Sequence, residues 1–222
     1  MLLEAGADSK PPSIVAHRAG NDLQRLRRAQ RLALPLVEAD VHLFRGRLEV
    51  RHLKTLGPVP VLWDRWRLAP PWTPRPLLDD LLVAAGPHTP LMLDLKGRNP
   101  ELSRRAAAAL GERRAVTVCS RHWPLLDPFA DLPGVCIVHS VGSRRQLSAL
   151  RRRFAGRRLD GISIHRKLLD PAVVAELRHT TDLLMSWPVR TADEARLLGS
   201  WGVTAVICED FETLAAGTAA GP

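Results

Sequence analysis

A set of polar residues closes short apolar runs along this chain: His17 with Arg18, Glu38 with Asp40, His52, and Asp94 with Lys96. Alternate side chains of a strand point to one face, so Glu38 projects with Asp40, and Asp94 with Lys96. If the two strands are neighbours, their carboxylates, the two histidines and the two cations converge on one spot. Hard oxygen ligands from Glu38, Asp40 and Asp94 suit Mg²⁺ or Ca²⁺, and such a cation polarises a phosphoryl group as a Lewis acid. An imidazole titrates near neutral pH and can hold either a general-acid or a general-base role, which His17 and His52 would divide. Arg18 and Lys96 would take the remaining phosphate charge. The set is equipment for binding a divalent cation and cleaving a phosphate ester.

The elements that must position these groups are short β-branched or Leu-rich runs alternating with Ala/Leu/Arg stretches. Strands are predicted at Ser13 to Ala16, Leu36 to Leu43, Leu91 to Leu95, Ala115 to Cys119, Val135 to Val138, Gly161 to Ile164, Leu183 to Val189 and Val203 to Cys208. Helix starts are signalled by Asp22, Asn99-Pro100, Ser143, Asp170-Pro171 and Thr191, and stops by Gly111, Gly156 and Gly199 to Gly202. This alternation predicts an α/β chain folded as a single (β/α)8 TIM barrel, one domain over residues 1–222 with the barrel at about 13–214. A doubly wound open sheet is the alternative. The barrel is preferred because the polar residues of the first strands lie at or beyond their C-terminal ends, where barrel enzymes build their sites. The Pro- and Trp-rich stretch from Leu53 to Pro76, carrying Trp63, Trp66 and Trp72, reads as a loop-like excursion before a helix at Leu77 to Ala85. Loops of this length are commonly lids. Packing of its tryptophans onto the barrel is the default expectation, with shielding of a site or contact with lipid as the alternatives. The tail from Ala215 to Pro222 is expected to fray.

A net charge of +9 and a pI near 10.8 favour an anionic partner: a phosphate ester, an anionic membrane surface or a nucleic acid. Only Lys10, Lys54, Lys96 and Lys167 are lysines, and arginine-rich composition without any Tyr is also what GC-rich coding leaves. No interleaved basic and aromatic motif supports nucleic-acid binding, so none is expected. Cys119, Cys136 and Cys208 are too widely spaced for a disulfide framework or a zinc site. The opening MLLEAGADSKPP lacks a signal-like apolar stretch, and no run is long enough to span a bilayer. The expectation is a cytoplasmic protein with peripheral membrane contact at most. The oligomeric state is not legible.

Taken in order, these motifs resemble the glycerophosphodiester phosphodiesterase family. Ala16-His17-Arg18-Ala19-Gly20 is similar to its opening His-Arg-Gly motif, and Val37-Glu38-Ala39-Asp40-Val41 to its Glu-x-Asp-Val strand. Leu48-Glu49-Val50-Arg51-His52 resembles the segment delivering the second histidine, Pro76 to Leu82 the Pro-x-Leu-x-x-x-Leu helix, and Asp94-Leu95-Lys96 a Glu-x-Lys motif. Leu184 to Val189 is similar to the Trp-Thr-Val strand, and Gly202 to Asp210 to the closing Gly-Val-Asp-x-Ile-x-Thr-Asp. The resemblance implies a metal-dependent barrel that hydrolyses glycerophosphodiesters to glycerol phosphate and an alcohol. It implies His17 and His52 as the acid–base pair, Glu38, Asp40 and Asp94 as metal ligands, Arg18 and Lys96 on phosphate, and Trp187 lining the substrate pocket. His165, after the sixth strand, is a further candidate for substrate phosphate.

The chain also departs from that pattern. Gly20-Asn21-Asp22 stands where the family carries a Pro-Glu-Asn-Thr motif whose glutamate reaches the metal, and Leu53 follows His52 where the family has Asp. Asp22 is read as a helix cap ahead of an Arg/Leu-rich helix rather than as a replacement ligand. His42, on the face of Glu38 and Asp40, could join the site, yet its position one pleat further out reads as one behind the ligands or at the rim. His88, His122, His139 and His179 read as structural or exposed, and Glu209 or Asp210 as a cap. Similarity to sphingomyelinase D and phospholipase D toxins makes a phospholipase D-like enzyme acting on lysophospholipid or sphingomyelin one alternative. A non-catalytic phosphate-binding barrel is the other.

Overall fold

A computed structural model describes residues 11–56, 59–64, 67–70, 72–113 and 115–219. The opening segment through Lys10 lies outside them, as does Trp66. The strands are β1 (Ser13–Ala16), β2 (Leu36–Phe44), β3 (Arg47–Val50), β4 (Lys54–Leu56), β5 (Val59–Asp64), β6 (Arg67–Leu68), β7 (Leu91–Lys96), β8 (Val116–Ser120), β9 (Val135–Val141), β10 (Gly161–His165), β11 (Leu183–Val189) and β12 (Ala205–Cys208). The helices are α1 (Leu23–Arg31), α2 (Leu78–Ala85), α3 (Pro100–Leu110), α4 (Arg144–Arg153), α5 (Pro171–Arg178), α6 (Ala192–Trp201) and α7 (Phe211–Ala219). Hydrogen bonding runs in the order β1, β2, β7, β8, β9, β10, β11, β12 and back to β1, which closes a (β/α)8 barrel. The strands are short apolar runs because each is covered on both faces; Ile162, Ile164, Leu184, Val206 and Val118 are all buried.

Residues group into two compact units, one of residues up to 17 and from 137 onward, the other of residues 18–136. Within the first, β10 pairs in parallel with both β9 and β11, and β12 with both β11 and β1. Its helices begin as the sequence dictates. Ser143, Asp170 and Thr191 accept backbone N–H groups of Gln146, Val173 and Glu194, each cap being worth about 1 kcal/mol. Asp210 Oδ1 accepts the Thr213 N–H and so starts α7, which continues to Ala219 rather than fraying at Ala215. Phe211 and Leu214 are buried and hold that helix down. Helix α4 stops at Arg153 with Phe154 as its cap, ahead of the expected Gly156.

In the second unit Asp22 caps α1 by accepting from the Gln24 and Arg25 N–H groups, and Asn99 caps α3. Strands β2 and β7 run parallel, with Glu38 opposite Met92, Asp40 opposite Asp94 and His42 opposite Lys96. Past the barrel, β2 turns at Arg45-Gly46 and β3 returns antiparallel beside it. Glu49 and Arg51 form a buried ion pair there, Oε2 to Nε 2.6 Å, next to His52. Removing either partner would strand a buried charge, so the pair fixes the strand that delivers His52.

The excursion after His52 is not a loop. It forms an antiparallel three-stranded sheet, β4, β5 and β6, because Thr55, Val59, Val61, Leu62 and Trp63 are strand-forming residues. Its tryptophans do not uniformly pack inward either: Trp63 is half-buried and Trp72 is 82% exposed.

Candidate functional site

The site in the second unit begins with register. Asp40 and Asp94 face each other across the β2–β7 pair, and the two-residue strand period brings Glu38 and Lys96 to the same side. Glu38 and Asp40 are buried, and Glu38, Asp40 and Asp94 each offer an oxygen with all three atoms within 4.8 Å of one another. Lys96 Nζ lies 2.6 Å from Asp40 Oδ1 and also donates to Asp94 Oδ2. Asp94 Oδ1 is buried and has no hydrogen-bond partner among the described residues.

Charge crowding leaves a clear signature. Burial, then the neighbouring Asp40 carboxylate, pushes the Glu38 carboxyl well above its ordinary range. Burial likewise raises Asp94 even with Lys96 beside it. Asp40 goes the other way: burial would raise it, but Lys96 and His52 together hold it below the usual carboxylate range. Burial opposes the charge on Lys96 too, yet Asp94 and Asp40 outweigh it and hold the ammonium above its ordinary value. One ammonium does not balance three converging carboxylates, two of them buried. Convergent oxygens, an orphaned buried oxygen and surplus negative charge fit a hard divalent cation held by Glu38, Asp40 and Asp94.

The turn after β1 supplies a second layer. Arg18 adopts left-handed backbone angles, φ 56° and ψ 14°, which a non-glycine residue takes only when its surroundings hold it. They do so here. The Arg18 backbone N–H donates to Glu38 Oε2 at 2.6 Å, its Nη2 lies 2.9 Å from His52 Nε2, and its Nε lies 3.8 Å from Asp40 Oδ2. The next turn presses close: a Cβ on Gly20 would sit 2.6 Å from Ala39 Cβ, so only glycine fits. Asn21 then grips Asp40 twice, its amide donating to Oδ2 at 2.8 Å and its Oδ1 accepting the Asp40 backbone N–H at 2.8 Å.

His52 is held between two carboxylates. Its Nδ1 lies 3.3 Å from Asp40 Oδ2 and its Nε2 lies 3.6 Å from Asp64 Oδ2, the latter delivered by β5. His42 is half-buried opposite Lys96, one pleat beyond Asp40 on the same strand. Burial and the Arg51 charge push its imidazole down to about 3, so it is neutral near physiological pH, and its Nε2 has no hydrogen-bond partner among the described residues. The Cys119 thiol, opposite Asp94 on β8, is pushed well up by burial and by that carboxylate, which makes it an inert wall of the site.

The structure therefore brings Arg18, Glu38, Asp40, His52, Asp94 and Lys96 together. It also adds Asn21 and Asp64, which sequence reading missed. Asn21 carried a signal, since it follows the His-Arg motif inside a turn. Asp64 carried none, because only the fold of the excursion turns it toward His52. Asp22 is a cap, as expected. In the other unit, the His17 backbone N–H donates to Cys208 O at 2.9 Å, one residue before Arg18. His165 and Trp187 are register partners on β10 and β11, with rings edge to face at 4.9 Å, and His165 Nδ1 accepts the Lys167 N–H.

No protein-family model and no curated protein matches the sequence. Solved structures do match, over nearly their whole length. A phosphodiesterase from Oleispira antarctica, in complex with its product sn-glycerol-3-phosphate, aligns with a TM-score of 0.74 and 17% identity over 95% of this chain and 98% of that one. A glycerophosphodiester phosphodiesterase from Parabacteroides distasonis aligns with a TM-score of 0.71 and 18% identity, covering 96% of this chain and 100% of its own. The glycerophosphoryl diester phosphodiesterase domain of a Mycobacterium tuberculosis protein aligns with a TM-score of 0.65 and 20% identity, covering 96% and 100%. At these identities the likeness is one of fold, and the barrel is of the kind found in these phosphodiesterases. No helix of the described residues is long and apolar enough to cross a membrane.

Proposed function

We propose that the protein is a divalent-metal-dependent phosphodiesterase that hydrolyses glycerophosphodiesters to glycerol phosphate and an alcohol. One observation carries this reading: Glu38, Asp40 and Asp94 converge around an orphaned buried oxygen, beside an arginine, a lysine and an oriented histidine. Support comes from the fold neighbours, several of which are phosphodiesterases by description, one of them holding glycerol phosphate. The motif order shared with that family points the same way.

In this reading Glu38, Asp40 and Asp94 hold Mg²⁺ or Ca²⁺. The bound cation would supply Lewis-acid polarisation of the phosphoryl group. Arg18 presents its guanidinium to a phosphate oxygen while its backbone N–H keeps Glu38 aimed. Lys96, ion-paired to Asp40 and Asp94 here, would be free to contact phosphate if those carboxylates held a cation. Asp40 orients His52 through Nδ1, and once Arg18 turns from Nε2 to the substrate phosphate, Nε2 exchanges a proton with substrate. His17 serves as the other acid–base group, one histidine deprotonating the attacking hydroxyl and the other protonating the leaving oxygen. The attacking oxygen belongs to water or to the neighbouring glycerol hydroxyl, the latter giving a cyclic phosphate. The reading assigns His165 and Trp187 to substrate contacts.

The test is a metal-supplemented screen of glycerophosphocholine, glycerophosphoethanolamine, lysophosphatidylcholine and sphingomyelin, with glycerol phosphate, choline and ethanolamine measured separately. Glycerol phosphate with equimolar free alcohol is the expected product. Choline released from sphingomyelin or lysophosphatidylcholine, with no glycerol phosphate from any substrate, would overturn the assignment in favour of phospholipase D-like chemistry.

A further inference from the structure

The small sheet after His52 has two unlike faces. Leu62 on β5 is buried, at 2% exposure, whereas its neighbour Val61 is 37% exposed and Trp63 is half-buried. Leu68 stands opposite Trp63 on β6 and is 69% exposed. Val59 lies at the start of β5 and the exposed Trp72 follows β6 in the chain, and the remaining large exposed apolar residues of the described chain sit on α1, α2 and α6 or at their ends. Solvent-facing Val59, Val61 and Leu68 on one short sheet, followed closely in the chain by the exposed Trp72, mark a contact surface rather than scattered background.

Charge says what the surface contacts. Between residues 54 and 75 the sequence carries Lys54, Arg65, Arg67 and Arg75 against one acid, Asp64. That acid sits 3.6 Å from His52 Nε2. Lys54 is the register partner of Trp63, and its ammonium lies 5.5 Å over the indole ring. An apolar strip with Trp, carrying Lys54 over its indole ring and lying in a segment whose sequence is rich in cations and poor in acids, matches the chemistry of an anionic bilayer: acyl chains and headgroup-level aromatics inside, phosphates at the rim. A second copy of the chain fits less well. It would set cations against cations, and the exposed apolar side chains offer on the order of a few hundred Å², below the roughly 800 Å² that each partner of a stable dimer buries.

We propose that the outward face of β5 and β6, with Trp72, docks the protein on anionic phospholipid membranes. The docking is independent of the hydrolytic reading. Combined with it, docking would bring the barrel to a surface made of glycerophosphodiesters.

The test is co-sedimentation of the full chain with extruded vesicles of phosphatidylcholine alone or mixed equally with phosphatidylglycerol, at low and high salt. The wild-type chain is expected to pellet with the mixed vesicles, to pellet far less with phosphatidylcholine alone, and to be released in part by salt. Leu68 and Trp72 are exposed, so Leu68→Ser with Trp72→Ser spares the core. It should lower the partition coefficient by about tenfold or more. Hydrolysis of soluble glycerophosphocholine should be unchanged in that variant, so a failure of docking is read in the pellet and a failure of the enzymatic reading in the assay. A wild-type chain that stays in the supernatant, a double variant that pellets like wild type, or a lipid-free wild-type dimer that the double variant loses would each overturn the proposal.

Discussion

Asp40 and Asp94 are direct register partners on neighbouring parallel strands, and the Lys96 ammonium bridges them. Two carboxylates forced together by β-sheet register are repulsive unless a cation separates them. Lys96 fills that role while Asp94 keeps one buried oxygen without a hydrogen-bond partner among the described residues. The arrangement is stable enough to fold yet still short of positive charge, which is what a cation-binding site requires before it is loaded.

The sign of the pH dependence follows. A carboxyl whose folded value is raised, as for Glu38 above 4.5, contributes stability below the unfolded value and loses it as pH rises through the folded one. Asp94 behaves alike. Asp40, held low, contributes above 3.8 and loses its contribution only as pH falls through its depressed folded value. Without a cation the chain should therefore lose stability from Glu38 and Asp94 with rising pH. Adding Mg²⁺ or Ca²⁺ should raise Tm more in mildly alkaline than in mildly acidic buffer, with protons released on binding. Scanning calorimetry with and without the cation checks this, and an equal gain at both pH values would contradict it.

His17→Ala and His52→Ala should each lower kcat on a glycerophosphodiester by roughly a hundredfold or more, the scale of a lost general acid or base. Far-UV circular dichroism should be unchanged. Wild-type turnover in both variants would refute the acid–base assignment.

Asp64 acts through His52, so Asp64→Asn should lower kcat about tenfold with KM little changed, and should shift the pH–rate profile. Cation affinity should stay at the wild-type value, because Asp64 belongs to the small sheet and not to the carboxylate cluster. Steady-state kinetics across pH, with calorimetric cation titration, distinguishes this from a loss of folding.

Gly20→Ala forces a methyl against Ala39 Cβ, where the strand that carries Glu38 and Asp40 cannot yield freely. The expected cost is about 1–3 kcal/mol of stability. The Ala39→Gly partner change should recover part of it. Denaturant unfolding of the single and double variants measures both, and additive losses would refute the contact.

Much of this was legible in the sequence because parallel strands and their caps are local. Each predicted barrel strand exists within a few residues, and Asp22, Asn99, Ser143, Asp170 and Thr191 cap the helices they precede. The pairs Glu38-x-Asp40 and Asp94-x-Lys96 were readable from strand periodicity alone. Their convergence needed the β2–β7 register, which no local signal states. The excursion was misread as a loop because its prolines dominate a short window, while the strand pattern emerges only when β4 and β6 flank β5. Asp64 was invisible for the same reason, whereas His42 was legible from strand periodicity as sharing the face of Glu38 and Asp40.

The central claim is best tested by chelating the purified chain and following glycerol phosphate release from glycerophosphocholine before and after Mg²⁺ or Ca²⁺ is returned, beside Asp94→Asn. The account predicts activity lost on chelation, restored by the cation, and weak in the variant at every cation concentration. Activity untouched by the chelator, or wild-type restoration in Asp94→Asn, would contradict it.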